Sequence, residues 1–342
     1  LMRRPLPTST LALLTACGGG GEQPADEATA TDEATAPAIP ADLPNVVIVT
    51  LDTTRADPLG RYGYDKASTE TLDALAAAGR RYERVYSPLP LTIPAHSSMF
   101  TGLYPAHLGI RDNGFGMLTD DRTTLAEILG EAGYATGASV SAFVTTRTWG
   151  FDQGFDGFYD ELGTGRDQNV WHQERRAEPV IDDALAWKGT LDGEQPVFLW
   201  VHLYDPHFPL EPPEGYVDPE DPRPYDGEIA YVDDQIGRLV EAFDGEPTLF
   251  VIAGDHGEGL NDHGELNHGL FVYDATQHVP FILSGPGVEP GVDSTVASLV
   301  DLTPTVLHLI GLPIPEGLDG RVISAETERP VYMETYQLWD RF

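Results

Sequence analysis

Short apolar runs recur along the chain and alternate with segments of helical spacing. Unbroken runs rich in valine, isoleucine and leucine are typical of strands that are buried on both faces. They predict strands over residues 46–51, 135–140, 197–203, 248–253 and 279–283. Apolar positions at helical spacing predict helices over residues 69–78, 123–131, 228–243 and 301–310. This alternation indicates an α/β fold, a three-layer sandwich with a mostly parallel central sheet.

Residues that commonly ligate metals stand directly after two of these strands. Asp52 follows the first strand, and Asp255 and His256 follow the strand over 248–253. In an open α/β sheet, ligands gather at the carboxyl ends of the strands. Each residue taken singly also fits a helix cap or a strand-end turn. Together they predict a site for one divalent cation, and oxygen ligands with one imidazole allow Ca²⁺, Mg²⁺, Mn²⁺ or Zn²⁺.

Thr92 is a candidate nucleophile because it stands just before a helix that is predicted to begin at Pro94. A threonine hydroxyl is almost wholly protonated at neutral pH, and a bound cation stabilises its alkoxide. The N–H groups at the start of a helix favour an anionic group. The alternative is a helix-capping threonine. Ser97 and Ser98 are weaker candidates because they lie inside the predicted helix.

Histidines near the ends of predicted strands supply further candidate chemistry. An imidazole can bind ester oxygens, protonate a leaving group or ligate a second metal. A single histidine is more often structural, but several in strand-end loops favour function, above all for two of them, His207 and His268. The full set of histidines, with two nearby aspartates, is His202, His207, His263, His268, Asp205 and Asp262.

Composition excludes some classes of partner. The formal net charge of −35 argues against nucleic acid, because phosphate binding needs a basic surface. With 342 residues, 41% of them hydrophobic, the chain can build one large domain or two smaller ones. No apolar run reaches the roughly 18 residues that a membrane span needs.

The N-terminal region resembles a bacterial lipoprotein leader. Arg3 and Arg4 precede a short apolar stretch, and LTAC at 14–17 resembles a lipobox. This predicts a signal peptide over 1–17, lipid attachment at Cys17 and a disordered tether over 18–44. The alternative is an ordinary secretory leader. The expected location is the periplasm or the surface of a bacterial cell, after export across the inner membrane, with the lipid as the protein's only contact with the membrane.

The remaining chain divides into a catalytic domain over 45–325 and a short segment over 326–342. No cap or stop signal closes that last segment, which is therefore interpreted as the start of a longer C-terminal region in a truncated product. Cys17 is the one cysteine, so no intramolecular disulfide forms. The sequence leaves the oligomeric state open.

An ordered set of motifs resembles the sulfatase family of the alkaline phosphatase superfamily, from about residue 45 to residue 323. The motifs are LDTTRAD at 51–57 with YGY at 62–64, TIPAH at 92–96 followed by TGLYP at 101–105, DPH at 205–207, DHGE at 255–258, and VPFI at 279–282. The resemblance implies an alkaline-phosphatase/sulfatase-like fold. It also implies one divalent cation, Ca²⁺ by family and Zn²⁺ or Mn²⁺ as alternatives, held by Asp52, Thr92, Asp255 and His256.

The resemblance further suggests which residues meet the substrate. His207 matches the family's substrate-binding histidine, and His268 falls where related phosphonate and phosphoethanolamine enzymes place a lysine or histidine. Both are assigned to catalysis with Thr92. Asn113 stands where related phosphodiesterases hold a phosphate oxygen. His96 and Arg61 complete the expected substrate-binding set.

The chain departs from the sulfatase pattern at the nucleophile. Sulfatases carry a cysteine or serine there and convert it to formylglycine, whereas this chain has Thr92, with His96 in place of the motif's arginine. A threonine cannot yield the aldehyde, so no formylglycine is expected. The family lysines that hold sulfate have no match either, because Lys66 and Lys188 lie outside every motif. A threonine nucleophile resembles that of related phosphodiesterases and phosphoethanolamine transferases, which pass through a phospho-threonine.

The sequence thus predicts a metal-dependent hydrolase that acts on small anionic sulfate or phosphate esters through Thr92. A phosphodiesterase, a phosphonate monoester hydrolase or a phospho-headgroup transferase is the first alternative. A non-catalytic surface lipoprotein that keeps the fold is an alternative of another class. The catalytic interpretation requires the Thr92 hydroxyl to lie within about 5 Å of the metal ligands, a generous limit for direct coordination.

Overall fold

Eight strands form one central sheet in the part of the chain that the structure, a computed structural model, describes: residues 40, 42–163 and 169–337. The strand order is β4-β3-β5-β1-β6-β7-β2-β8. The strands are β1 (Asn45–Leu51), β2 (Arg80–Tyr86), β3 (Ala135–Val140), β4 (Gly157–Tyr159), β5 (Val197–Leu203), β6 (Thr248–Gly254), β7 (His278–Ser284) and β8 (Gly291–Ser298).

Most neighbouring strands run parallel, as predicted, and β7 is the exception. It is antiparallel to both of its neighbours, β6 and β2. The connection from β6 to β7 does not cross a face of the sheet. It stays at the edge where β6 ends, carries a 3-10 turn and one short α-helix, and so returns the chain in the opposite direction.

Helices cover both faces of the sheet and complete the predicted three layers. Side chains of β1 alternate between two cores, Val46 and Ile48 in one and Val47 and Val49 in the other. Residues of α2, α4 and α8 line the first core, and residues of α1, α5 and α6 line the second. The helices are α1 (Glu70–Ala78), α2 (Thr92–Thr101), α3 (Pro105–Leu108), α4 (Leu125–Glu131), α5 (Ala177–Lys188), α6 (Pro224–Glu241), α7 (Asp274–Gln277) and α8 (Leu302–Leu309).

The predicted helices are present, with shifted ends. Thr124 caps α4 through a capping box with Glu127, so the helix starts at Leu125 and not at the predicted residue 123. The predicted start of the helix at Pro94 is wrong by two residues. The α2 helix begins at Thr92, and Pro94 is the third residue of its first turn, where a missing N–H removes no helical hydrogen bond. Thr92 therefore belongs to the helix end itself.

Several sequence predictions fall outside the described residues. They are the signal peptide over 1–17, lipid attachment at Cys17 and most of the tether over 18–44, and they stay predictions. No described helix is both long enough and apolar enough to cross a bilayer. Of the segment over 326–342, residues up to 337 are described and pack against the loops that flank α2.

Candidate active site

The candidate site lies where two central strands end side by side. The strands β1 and β6 are parallel neighbours, and Leu51 is paired with Gly254. Asp52 and Asp255 follow these residues directly, so the sheet brings the two carboxylates to the same edge. The sequence expectation that the two strand ends meet is thereby confirmed.

Three of the predicted ligands form one compact group. Ligand atoms of Asp52, Asp255 and His256 lie within 4.8 Å of one another, and all three side chains are fully buried. One oxygen of Asp255 accepts hydrogen bonds from the N–H groups of Thr53, at 3.1 Å, and His256, at 2.7 Å. Its other oxygen, and Oδ1 of Asp52, have no hydrogen-bond partner among the described residues.

The backbone at Thr53 helps to hold this group together. Thr53 has a φ of 47°, in the left-handed region that a β-branched residue rarely adopts. This conformation aims the Thr53 N–H at the carboxylate of Asp255. Strained residues of this kind persist where the surrounding structure holds them, often at functional sites.

The electrostatics of the group call for positive charge. Burial, and then the charge of Asp255, raise the pKa of Asp52 well above its usual range, and burial likewise raises the pKa of Asp255. Burial also lowers the pKa values of His202 and His256, so that both imidazoles are neutral near pH 7. Paired buried carboxylates without a cation are costly. Oxygen and imidazole donors with unsatisfied oxygens therefore fit a divalent metal ion.

Thr92 lies beside this group, within the distance that the catalytic interpretation requires. Its hydroxyl donates to Oδ2 of Asp52 at 3.3 Å and lies 3.4 Å from Nε2 of His256. The next residue, Ile93, donates its N–H to Oδ1 of Asn113 at 3.0 Å. The predicted substrate residue Asn113 is thus held one residue away from the hydroxyl.

His96 faces the interior of the site. Its Nδ1 lies 2.9 Å from the Thr92 carbonyl, which only accepts, so Nδ1 carries the hydrogen. Burial lowers the pKa of His96 to about 4, which leaves Nε2 unprotonated near pH 7, and the Thr50 hydroxyl donates to it at 2.9 Å. With both nitrogens occupied, His96 braces the helix turn that carries Thr92 and does not offer a hydrogen bond to a substrate.

The Thr50 hydroxyl connects this brace to two further residues. It accepts from Nε1 of Trp200 at 2.9 Å, and Nδ1 of His202 lies 3.1 Å away. The Nε2 atom of His202 lies 3.5 Å from Oδ2 of Asp52. A fully buried layer of hydrogen bonds around Thr50 therefore supports the helix turn that carries Thr92 and places the His202 ring next to Asp52.

His207 and His268 form a pair at the same site. The Nδ1 atom of His268 lies 3.0 Å from the Pro90 carbonyl and therefore carries the hydrogen. Burial lowers the pKa of His268 to about 4, so its Nε2 accepts, and Nε2 of His207 lies 3.4 Å from it. The ring centroids of His268 and His256 are 4.3 Å apart, which joins the pair to the metal group.

Arg61 is not brought to the site. It is exposed, its N–H donates to Asp73 at 2.9 Å, and it lines a surface depression with Arg81 and Gly291. Arg81 is the second residue of β2 and Gly291 is the first of β8, so both lie at the edge of the sheet opposite to the ends of β1 and β6. A role for Arg61 in binding the reacting ester therefore has no support in the geometry.

Three more predicted residues take structural positions. His263 is exposed and stacks on Tyr273, with ring centroids 4.1 Å apart. Asp262 pairs with Arg55 at 2.9 Å. The Asp205 side chain is buried 3.6 Å from Arg176, and burial raises its pKa to about 7.

Sequence reasoning missed the supporting residues. Trp200 reads as an ordinary member of an apolar strand, and nothing in the pattern shows that its Nε1 donates to Thr50. Tyr204, whose ring stacks on His207 with centroids 4.3 Å apart, is likewise unmarked. The one available signal was Thr50 itself, a polar residue within an otherwise apolar run.

Comparison with known proteins agrees with this geometry. The sequence model of the sulfatase family matches residues 44–312. The chain is 27% identical to an uncharacterized sulfatase, YidJ, of Escherichia coli K12, over 83% of this chain and 71% of the relative. It is 25% identical to human arylsulfatase A, over 82% of this chain and 67% of the relative.

Solved structures show the same fold. The phosphonate monoester hydrolase of Agrobacterium radiobacter superposes with a TM-score of 0.70 at 20% identity, covering 84% of this chain and 79% of that one. A putative sulfatase yidJ from Bacteroides fragilis superposes with a TM-score of 0.68 at 23% identity, covering 84% and 78%. The sulfatase family depends on a metal, and the described Asp52, Asp255 and His256 are a group that could hold one. This chain belongs to the sulfatase family and is an ester hydrolase.

Proposed function

We propose that the protein is a metal-dependent hydrolase of phosphate esters in which Thr92 is the nucleophile. The observation that carries the proposal is the position of the Thr92 hydroxyl, 3.3 Å from Asp52 and 3.4 Å from His256. An alcohol in that position becomes an effective nucleophile once a cation stabilises its alkoxide. Because the nucleophile is threonine, the covalent intermediate is an ordinary ester of its side chain.

Asp52, Asp255, His256 and the Thr92 oxygen would hold the ion. A divalent cation there supplies a Lewis acid that stabilises the alkoxide and the negative charge on the ester oxygens. Ca²⁺ follows from the family resemblance, whereas the imidazole ligand favours Zn²⁺ or Mn²⁺. The Nδ2 of Asn113 is assigned to a non-bridging ester oxygen, because its Oδ1 already accepts from Ile93.

The reaction has two displacements. The Thr92 hydroxyl loses its proton to solvent, its oxygen forms a bond to phosphorus, and the bond from phosphorus to the leaving oxygen breaks. His207 gives a proton to the leaving oxygen. Water then gives a proton to His207 and forms a bond to phosphorus, while the bond from phosphorus to the Thr92 oxygen breaks. This releases the phosphate product and leaves the Thr92 alkoxide for the next cycle. His268 holds His207 in place through its Nε2.

A panel of esters tests the substrate class. We expect kcat/KM for 4-nitrophenyl phosphate, bis(4-nitrophenyl) phosphate or a phenylphosphonate ester to exceed that for 4-nitrophenyl sulfate by at least about tenfold, or about 1.4 kcal/mol in barrier. The measurement is made with Ca²⁺, Mg²⁺, Mn²⁺ and Zn²⁺ in turn. Turnover of the sulfate ester alone would contradict the phosphate preference and leave a threonine-dependent sulfatase.

The sulfate ester is the second candidate substrate, because the relatives favour it. They include proteins named arylsulfatase and choline-sulfatase. A transferase differs only in the second step, where an alcohol replaces water, and an added alcohol acceptor in the same assay detects it. The intact group of Asp52, Asp255 and His256 argues against a non-catalytic protein, since a binding module gains nothing from buried paired carboxylates.

Removal of the ion should make stability fall as the pH rises. In the unfolded protein both carboxyls have a pKa near 3.8. In the folded, ion-free protein the pKa of Asp255 is raised to about 8, and that of Asp52 is also raised. A raised carboxyl pKa imposes no cost while both states are protonated, and the cost grows as the pH climbs from about 4 towards the folded value. Ion binding requires the deprotonated ligands and so stabilises most at high pH.

The measurement is the melting temperature of ion-loaded and chelator-treated protein at pH 5 and pH 8. The difference in melting temperature between the two preparations should be larger at pH 8 than at pH 5. At an ion concentration a thousandfold above Kd, binding adds as much as roughly 4 kcal/mol to the free energy of unfolding. An equal gap at both pH values would show that these carboxylates do not bind the ion.

A further inference from the structure

A short segment near the C-terminus runs directly behind the histidine pair. We name residues 334–337 the strap. The Glu334 N–H donates to the Pro88 carbonyl at 2.9 Å, and the Thr335 hydroxyl donates to the Gly269 carbonyl. The strap therefore lies between the loop that leads to Thr92 and the loop that carries His268.

The contact with the second loop is tight. Gly269 has a φ of +104°, and a Cβ atom built there would lie 2.9 Å from the side-chain amide of Gln337. A larger residue at that position would meet both backbone strain and the strap. The peptide that directly follows His268 is thus packed against residues 335–337 on one side.

The strap also reaches the loop that carries Asn113. Arg111 donates to the Tyr336 hydroxyl at 2.9 Å, and its guanidinium lies 4.6 Å from the centre of the Tyr336 ring. The same guanidinium lies 3.2 Å from the carboxylate of Glu334, which is only 7% exposed. The strap therefore contacts both the loop that carries Asn113 and the loop that carries His268.

His268 depends on both loops that the strap touches. Its ring is anchored to the Pro90 carbonyl, two residues after the carbonyl that Glu334 bonds, and its own peptide leads into Gly269. A shift of either loop would change the distance between the Nε2 atoms of His268 and His207, now 3.4 Å. Hydrogen bonding of that pair needs this alignment.

We propose that the strap aligns the His207–His268 pair for protonation of the leaving group, and that Thr335 is a positioning residue for this step. The inference rests on the proposed function, because it takes His207 as the proton donor. Thr335 acts only through the Gly269 peptide. Its effect should therefore appear in the proton transfer and not in the binding of the ester.

The test is the dependence of kcat on the leaving group. A 4-nitrophenolate leaves without a proton, whereas an alkoxide needs one, so a misaligned acid slows only the second kind of ester. We expect Thr335→Val to lower kcat at least about tenfold for an alkyl phosphate monoester, whose leaving group is an alkoxide, since general acid catalysis as a whole contributes about 10²–10⁴-fold. For 4-nitrophenyl phosphate the loss should stay below about threefold, with KM unchanged.

Matched variants distinguish a misaligned histidine pair from a general loss of structure. Thr335→Ser keeps the hydroxyl and should restore the wild-type pattern. Tyr336→Phe loses only the group that accepts from Arg111 and should shift the pattern in the same direction. Thr327→Val removes a similar hydroxyl-to-carbonyl bond, 2.6 Å to Val322, outside the strap, and should leave the leaving-group dependence as in wild type.

The outcomes are distinct. Equal loss on both esters, or no loss in Thr335→Val and Tyr336→Phe alike, overturns the inference while the proposed function stands. A wild-type protein that turns over no ester overturns the proposed function and the inference with it.

Discussion

Replacement of Thr92 by valine is expected to lower kcat for phosphate ester hydrolysis by roughly 10⁴–10⁶-fold, the span of losses seen when single residues of a hydrolase's catalytic triad are removed. Valine keeps the shape of threonine and loses only the oxygen. Thr92 is 2% exposed and the one hydrogen bond that its hydroxyl donates, to Asp52, is 3.3 Å long, so the fold should tolerate the change. Ion content measured alongside activity should fall far less than activity, since three other ligands remain.

Two companion variants make this result specific. Thr92→Ser keeps a hydroxyl on the same helix position and should retain activity within about 10²-fold, because its oxygen is present but its rotamer is less restricted. Ser97→Ala, in the same helix, removes a buried hydroxyl that has no hydrogen-bond partner among the described residues, and should stay close to wild type.

A covalent adduct identifies the nucleophile directly. Protein mixed with a slow phosphate ester and quenched should carry phosphate on the peptide that contains Thr92, as read by mass spectrometry. The same peptide from Thr92→Val should carry none. An adduct on Ser97 or Ser98, or an active valine variant, would refute the assignment.

The site was predictable where the sheet alone determines position. Asp52 and Asp255 each follow an unbroken apolar strand, and parallel strands end at one edge, so adjacency of β1 and β6 suffices to bring them together. The nucleophile required one more condition, that α2 begin at the same edge. The apolar pattern does not show that condition, and the family resemblance supplied it.

Residues placed by loops and side-chain direction were not predictable in the same way. His96 stands four residues after Thr92 in a helix, and side chains in helices lean towards the N-terminus, so its ring returns to the Thr92 carbonyl. Arg61 lies in a loop whose path over the sheet no strand determines. The antiparallel direction of β7 depends on a connection that turns back at the edge, and the apolar run of 279–283 is the same for either direction.

Replacement of Asp255 by asparagine should lower the activity and, at the same time, raise the stability of the ion-free protein. Asparagine keeps one oxygen for the N–H groups of Thr53 and His256, at 3.1 and 2.7 Å. Its amide nitrogen then replaces the oxygen that lacks a hydrogen-bond partner, and an amide N–H group cannot ligate a cation. We expect activity and bound metal to fall together, activity by about 10³-fold or more, since the ion stabilises both the alkoxide and the ester charge.

The ion-free variant should nevertheless be more stable than ion-free wild type at pH 8. Burial raises the pKa of Asp255 to about 8 in the folded state, so a neutral amide removes a cost that grows as the pH rises above about 4. Asp233→Asn is the matched control, because Asp233 is equally buried but bonds the N–H groups of Thr71 and Leu72 far from the site. That variant should keep its metal. An active but metal-free Asp255→Asn protein would remove the cation from the mechanism, and an active, metal-loaded one would show that Asp255 is not a required ligand. A purely structural role of this carboxylate does not predict lost metal together with gained ion-free stability.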